Sequence, residues 1–432
     1  MDTASAPAAE IDTGTDLDSG AGSGIGSGIG VGTATETELD YPFPRPSAVQ
    51  IPPVYEKLRG ECPVARVRLP SGDPGFVVSR YDDVRTVLAD LRFSRAAMLE
   101  EGAPRLTAAP PMGGSLFTMD PPEHTRLRKL VSREFTARRV HNLRPRIQQM
   151  TDELLDRMEQ LAPPVDLNPV FAFPLPVMVI CELLGVPFED RDRFRGWSDA
   201  FVSLTSHTPE EVMEQRMSMV QYLAELIQRK REEPSDDLMS ALVSVHDEDG
   251  SRLSELELIT MGITILVAGH ETTVSMIGTC VLTLLRHPEH LAALRERPES
   301  IDQVVEELLR LNPIGDGGPF RITLEDVEIA DTTIPRGSGV IAAVCSANQD
   351  TAKFGADTGA FDPSRPTASS HLAFGHGAHF CLGAALARAE LQIALGTLFR
   401  RFPRLALAKD VNDLRMTTGM MVHALSGLPV TW

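Results

Sequence analysis

Residues 371–383, HLAFGHGAHFCLG, concentrate one cysteine, three histidines and three glycines. Three chemistries are open to Cys381. With His376 and His379 it forms H-x2-H-x-C, a partial zinc set that lacks paired C-x2-C knuckles and would need His371 as fourth ligand. As a nucleophile it would need a base with its own orienting partner, which normally comes from elsewhere in a fold. The third chemistry is a thiolate holding another metal centre, such as a haem iron. The following run LGAALARAELQIALGTLF reads as a helix, which puts Cys381 at a helix N-terminus, where N–H groups and the dipole favour a thiolate and lower its pKa. Gly375, Gly377 and Gly383 let a flat ligand approach the backbone.

A second stretch carries chemistry inside an apolar run. From Leu258 to Leu285 the only acidic or basic side chains are His270 and Glu271, in AGHETT. The apolar blocks on either side have 12 residues each, below the ~20 needed to cross a bilayer, so the run reads as a core helix. Ala268, Thr272 and Met276 share a face at four-residue steps. Two readings of AGHETT stand: a kink whose hydroxyls satisfy carbonyls and whose Glu271 is paired elsewhere, or a proton-transfer site.

These stretches need a scaffold, and 432 residues supply ample core. A net charge of −19 argues against nucleic acid. The five cysteines are odd in number and scattered, as reduced thiols are. Residues 1–40 hold eight acids, no Lys or Arg and no aromatic residue, and read as a disordered acidic, Gly-rich tail. Their glycines from Gly20 to Gly32 fall on even positions only, which excludes the GxGxxG dinucleotide fingerprint. From Tyr41, PVARVRLP, SGDPG and FVVS predict a half-buried hairpin; helical patterns then dominate, with short strands returning at 328–344 and near the C-terminus. No repeat or second linker appears, so 41–432 is expected to be one mainly helical domain with small β elements. The Pro/Gly/Ala-rich segment 93–119 reads as either a disordered loop or a functional one, a substrate lid.

FGHGAHFCLG resembles the haem-binding signature of the cytochrome P450 family, Phe-x-x-Gly-x-x-x-Cys-x-Gly, at Phe374, Gly377, Cys381 and Gly383. AGHETT is similar to that family's oxygen-activation motif on its long central helix. EELLR supplies Glu-x-x-Arg at Glu307 and Arg310, and FDPSRP places Arg365 where the family completes a Glu-Arg-Arg network. MDPPEHTRLRKLV resembles the propionate-binding helix, which assigns that role to His124 and Arg128; Arg321 and His379 match the other propionate partners. Two positions depart: Gln349 stands where arginine is usual, and Asp331 where glycine is common before IPxG.

The resemblance spans 41–432 and implies a mainly α fold with small β-sheets, a single-domain P450 fold with its long central helix over haem b. It implies Cys381 as the axial thiolate of the haem iron, bedded with Phe374, Gly375 and Gly383. Thr272 and Glu271 would be catalytic, handling oxygen and protons, while Ala268 and Gly269 leave room for O2 between helix and haem. Glu307, Arg310 and Arg365 would be structural. His379 would hold a propionate, with His371 and His376 as spectators at the loop rim, and His270 a packing or substrate-facing side chain.

The chain has neither a flavin fingerprint nor iron–sulfur cysteine spacing, so its electrons are expected from a ferredoxin and a ferredoxin reductase. HTRLRKLVSREFTARRV, with six Lys/Arg against one acid, is a docking patch or a solvated helix face. The pocket would be lined by 93–119, 198–222, 261–267, IGDGG at 314–318, Met420 and Met421, with the glycines making a roomy wall. Asp316 is expected to face solvent or a cationic substrate group. The resemblance is to soluble actinobacterial monooxygenases, which implies hydroxylation or epoxidation of a bulky secondary metabolite by a cytoplasmic monomer without membrane or nucleic-acid partners. The alternatives are coupling or isomerisation without oxygen insertion, and a non-catalytic haem sensor.

Overall fold

Ser254 starts the central helix. Its hydroxyl accepts the Glu257 N–H and the Glu257 carboxylate accepts the Ser254 N–H, a reciprocal cap that satisfies two orphan donors. The helix then runs unbroken from Glu255 to Arg286, 32 residues or about 48 Å, and stops before Pro288. By length and composition it is apolar enough to span a membrane, yet 72% of its most apolar window is buried inside the protein, as in a core helix. AGHETT does not break it, and its buried hydroxyls are satisfied within the helix. Thr260, Thr264, Thr272, Thr273, Thr279 and Thr283 each donate to the carbonyl four residues back.

This computed structural model describes residues 38–432 apart from residue 251. The acidic tail expected over 1–40 therefore lies outside the described residues except for its last three. Those three are ordered: Leu39–Asp40 pairs in parallel with Val67–Arg68, and the Glu38 carboxylate lies 2.8 Å from Arg68 Nη2.

Helices wrap the central one. Pro174–Leu184, apolar nearly all round, packs along it, and Ala384–Arg401 packs both on it and on Ala137–Glu159. The approach to Pro174–Leu184 is so close at Gly269 that a Cβ there would sit 2.5 Å from Ile180 Cδ1. Gly269 thus serves helix packing, which corrects the expectation that it leaves room for O2.

The predicted hairpin is present as Val64–Arg68 against Pro74–Val78, in register Val64↔Val78 to Arg68↔Pro74. Ala65, Val67 and Leu69 are buried while Arg66 and Arg68 are exposed, as the alternation requires. The sheet grows to six strands through Gly339–Ala342, Phe320–Thr323 and the two-residue Phe93–Ser94. Asp331 departs from glycine without disrupting its turn: Ala330 and Asp331 take positive φ, 47° and 61°, between the paired strands Val327–Ile329 and Thr332–Ile334, and aspartate tolerates that region better than most residues.

The 93–119 segment begins with its short strand, forms 3-10 turns at Ala96–Leu99 and Leu116–Thr118, and lies on the central helix. Ser115 Oγ is 2.8 Å from Thr264 Oγ1, and Thr260 donates to Gly114 O at 2.7 Å. It covers the face that leads by four-residue steps through Ala268 to Thr272.

Candidate functional site

The cysteine loop is a tight turn fastened at both ends. Leu372 N donates to Asn348 Oδ1 at 2.7 Å, Gly375 N to Leu372 O at 2.8 Å, and Cys381 N to Phe374 O at 2.8 Å. Gly375 and Gly377 have φ of 71° and 72°, which L side chains avoid; a Cβ on Gly377 would also run into the 81–89 helix at Leu88 and Ala89. Cys381 is exposed, three residues before the helix Ala384–Arg401. Burial of its surroundings raises its thiol pKa, against the lowering effects of the Gly383 N–H bond, Arg128 and Arg388. The helix N-terminus therefore favours the thiolate as expected, while burial opposes it and leaves the thiol raised. No group of three His, Cys, Asp or Glu suited to a metal exists among the described residues, so the zinc set does not assemble.

Phe374 is wedged beside the loop. Its ring carries the Arg388 guanidinium at 4.5 Å and contacts His371 and Phe380 at 5.8 and 6.4 Å between centroids. Arg388 Nε in turn donates to Glu306 at 2.6 Å, and His371 Nε2 stands 3.3 Å from the same carboxylate. These partners outweigh burial and hold Glu306 down to about 2. His371 is thus no spectator: it is buried, and its Nδ1 accepts the Ala373 N–H at 3.1 Å. His376 lies at the rim, 3.2 Å from Arg85 Nε.

The Glu-Arg-Arg residues do come together. Glu307 and Arg310, both 0% exposed, make two contacts of 2.7 Å, and Arg365 Nε reaches Glu307 at 3.1 Å. Arg310 also donates to Asn348 O and Thr358 O, and Arg365 to Phe354 O and Asp357 O. Asn348 thereby links this network to Leu372 at the mouth of the cysteine loop. The neighbouring Gln349 departure leaves that link intact.

His124, His379, Arg321 and Arg128 form one positive cluster, together with Arg95, which the sequence reading missed. The His124 and His379 rings are 4.1 Å apart. Burial first, then Arg128 and Arg95, pushes His124 down to about 4; burial with Arg95 and Arg321 pushes His379 down to about 2. Burial lowers Arg95 to about 10, partly offset by Asp120, and takes Arg321 well below its ordinary value. Arg95 Nε and Arg321 Nη2 are buried with no hydrogen-bond partner among the described residues. Arg128 reaches the other side, donating to Phe380 O beside Cys381. Arg95 sits in FSRAAM, with no spacing to mark it; only the fold reveals its role, since Asp120 accepts its backbone N–H at 2.9 Å and anchors the start of the segment.

On the central helix the Thr272 hydroxyl donates to Ala268 O at 2.9 Å, and Glu271 lies beside it with its side chain 13% exposed. Glu271 Oε1 is 2.8 Å from Nε2 of the fully buried His270. His270 therefore does not face a substrate.

The expected pocket lining is only partly there. Met420 is buried and Met421 exposed. In IGDGG the glycines are not a roomy wall: a Cβ on Gly315 would lie 2.5 Å from Met421 O, and ones on Gly317 and Gly318 would collide with the Tyr41 hydroxyl and Ala342 O. Asp316 does not face solvent; it is buried against Arg45 Nη2 at 2.7 Å and His423 Nδ1 at 3.1 Å.

Comparison with known proteins places this geometry. Residues 50–206 and 192–427 match the family described as Cytochrome P450. The chain is 48% identical over 389 residues to nocardicin C N-oxygenase of Nocardia uniformis subsp. tsuyamanensis, covering 90% of this chain and 97% of that protein. It is 46% identical to mycinamicin IV hydroxylase/epoxidase of Micromonospora griseorubida, covering 88% and 94%. The crystal structure of the putative thioether synthase SgvP, involved in the tailoring step of griseoviridin, superposes with a TM-score of 0.88 at 49% identity, over 92% of this chain and all of that one. With a family match over most of its length and relatives this close from end to end, the chain belongs to the cytochrome P450 family.

Proposed function

We propose that this haem-thiolate monooxygenase binds haem b with Cys381 as its axial ligand and oxidises a bulky secondary metabolite of the macrolide, polyketide or peptide kind. The observation that carries the haem reading is the positive cluster. Arg95 and Arg321 each keep a buried N–H without an acceptor, and His124 and His379 stay neutral at physiological pH. Such a set suits two carboxylates on one rigid ligand, because buried donors lacking acceptors are costly. Arg128 reaches from this cluster to the cysteine loop, which ties carboxylate binding to the ligand cysteine.

Bound haem supplies the reductive activation of O2. The chain's own residues do the rest. Gly383 N–H and Arg128 stabilise negative charge on the Cys381 sulfur, Phe374 and Arg388 shield the loop, and Glu307, Arg310 and Arg365 hold it. The Thr272 hydroxyl and the Glu271 carboxyl would move protons toward the oxygen substrate; bonding to Ala268 O leaves the Thr272 oxygen free to accept.

Members of this family take electrons from redox partners and bind small-molecule substrates. A ferredoxin is the partner we propose here, docking on the face that carries the exposed Lys129, Arg133 and Phe380, in a monomeric cytoplasmic enzyme. Arg126 is not part of that patch, because it pairs with Glu257 and donates to Arg252 O. Charge reversal of Lys129 and Arg133 then slows reduction by ferredoxin and weakens its salt dependence, leaving dithionite reduction unchanged.

The substrate class rests on the relatives that act on nocardicin C and mycinamicin IV. The test is turnover under labelled O2 with a panel of macrolides, polyketides and peptides, first screened by substrate-induced spin shift. Product carrying one labelled oxygen atom supports insertion. A second reading, oxidative bond formation, is favoured by the likeness to a putative thioether synthase; it predicts a product that has lost two hydrogens and gained no label.

A further inference from the structure

His270 lies in the middle of AGHETT, and its imidazole is 0% exposed. The ring stands edge-on to Phe173, with centroids 6.2 Å apart, and its Nδ1 is 2.9 Å from Leu266 O. A carbonyl oxygen can only accept, so Nδ1 carries a proton. The other nitrogen, Nε2, stands 2.8 Å from Glu271 Oε1, off the line of a formed hydrogen bond, and no other described atom partners it. Adjacent residues on a helix do not ordinarily face one another, so this approach requires both side chains to turn together.

The tautomer decides what the contact means. If the ring is neutral, Nε2 is a lone pair, and an ionised Glu271 would set a second acceptor against it in a buried place. Such a pair is favourable only with one proton between the two atoms. Either an imidazolium faces a carboxylate, or a carboxylic acid donates to the imidazole.

We propose that His270 is a positioning residue that acts through Glu271, fixing its carboxyl and storing one proton in the pair. Resting on the reading of Glu271 and Thr272 as proton carriers, this gives the following step. The Glu271 O–H bond breaks and a new O–H bond forms at the Thr272 oxygen, which releases its own proton, now held by Ala268 O, to the reduced oxygen substrate; the hydroxyl is regenerated and no electrons move. The pair is then left with none, two acceptors facing each other. It takes a proton from solvent water at Glu271, whose side chain is 13% exposed where that of His270 is 0%, and so recharges from the outside.

The test compares His270→Phe, which keeps a ring against Phe173, His270→Gln, which anchors Glu271 by an N–H but stores no proton, Glu271→Gln, and the double variant His270→Phe/Glu271→Gln. In the diamagnetic ferrous carbon monoxide complex labelled with 15N-histidine, the His270 Nε2 resonance is expected to show a shared proton and to shift in Glu271→Gln. His270→Phe is expected to keep the thiolate carbon monoxide spectrum and to bind substrate within about twofold of the parent. Its product formed per NADPH is expected to fall about tenfold or more, peroxide making up the difference. His270→Gln stays uncoupled, and His270→Phe adds nothing once Glu271 is glutamine. An Nε2 resonance indifferent to Glu271→Gln, full coupling in His270→Gln, or an equal further loss from His270→Phe in the Glu271→Gln background would each overturn the proposal. Should His270→Phe lose haem, the parent and Glu271→Gln spectra decide alone. If Glu271→Gln stays fully coupled while the shared proton is seen, it is the catalytic reading of Glu271 that fails.

Discussion

Glu307→Ala removes the acceptor around which the buried network is built. Glu307 takes two contacts of 2.7 Å from Arg310, one of 3.1 Å from Arg365 Nε and one of 3.1 Å from Asp362 N. Arg310, 0% exposed, is left with the Asn348, Thr358 and Ala360 carbonyls at 2.9, 2.8 and 3.3 Å and the Phe354 ring at 5.3 Å. Those dipoles compensate its charge only in part, so the expected loss is that of breaking a buried ion pair from one side, about 3–5 kcal/mol. Against a domain stability of about 5–15 kcal/mol this is about a fifth or more. Arg365→Ala leaves Glu307 still held by Arg310 and removes a guanidinium that is 9% exposed, so about 1–3 kcal/mol is expected. The assay is urea unfolding of the loaded protein, followed by far-UV circular dichroism and by haem absorbance. In Glu307→Ala the haem signal should fall at lower urea than the helix signal, because Asn348 carries the disturbance to Leu372. A loss under about 1 kcal/mol, equal losses for the two variants, or coincident transitions would refute the reasoning.

Three further predictions follow from the packing and the charges. Gly269→Ala should destabilise by about 1–3 kcal/mol through collision with Ile180, and Ile180→Val in the same chain should recover part of that in a thermal melt. Arg321→Met should have opposite effects on the two forms, raising the melting temperature of the haem-free protein, which no longer buries an unpaired guanidinium, while speeding haem transfer to apomyoglobin. The haem-free protein should also lose stability in acid. His124 and His379 have folded pKa values depressed to about 4 and about 2, so the unfolded chain binds their protons first as pH falls below about 6.5. Their contribution is complete above that pH and is lost as pH falls, down to about 4 for His124 and on to about 2 for His379, which a pH series of urea midpoints measures.

Where the sequence was legible, it was so because the constraint was local. The hairpin at Val64–Val78 announces itself by alternation and a glycine turn, and the central helix by its capped, apolar run. Glu307, Arg310 and Arg365 were placed by motif, and the fold brings them into contact. What stayed hidden depends on what a residue meets across the fold. Gly269 and the glycines of IGDGG looked like space for a ligand, but each marks a close approach of Ile180, Tyr41, Met421 or Ala342. Arg95 lies in an alanine-rich segment with no period, and becomes part of the positive cluster only through the pairing of Phe93–Ser94 with Ile322–Thr323. His371, expected at the rim, is buried beside Glu306, a carboxylate that no spacing rule connects to it; His270 packs as expected, and only the fold shows its approach to Glu271.

Every role proposed for these residues depends on Cys381 as the ligand of the haem iron. The most direct measurement is the carbon monoxide difference spectrum of the reduced, haem-loaded protein, beside that of Cys381→His. The parent is predicted to give the red-shifted band of thiolate ligation, and Cys381→His the shorter-wavelength band of histidine ligation with the haem still bound. A parent spectrum of the histidine type, or a thiolate band that persists without Cys381, would contradict it.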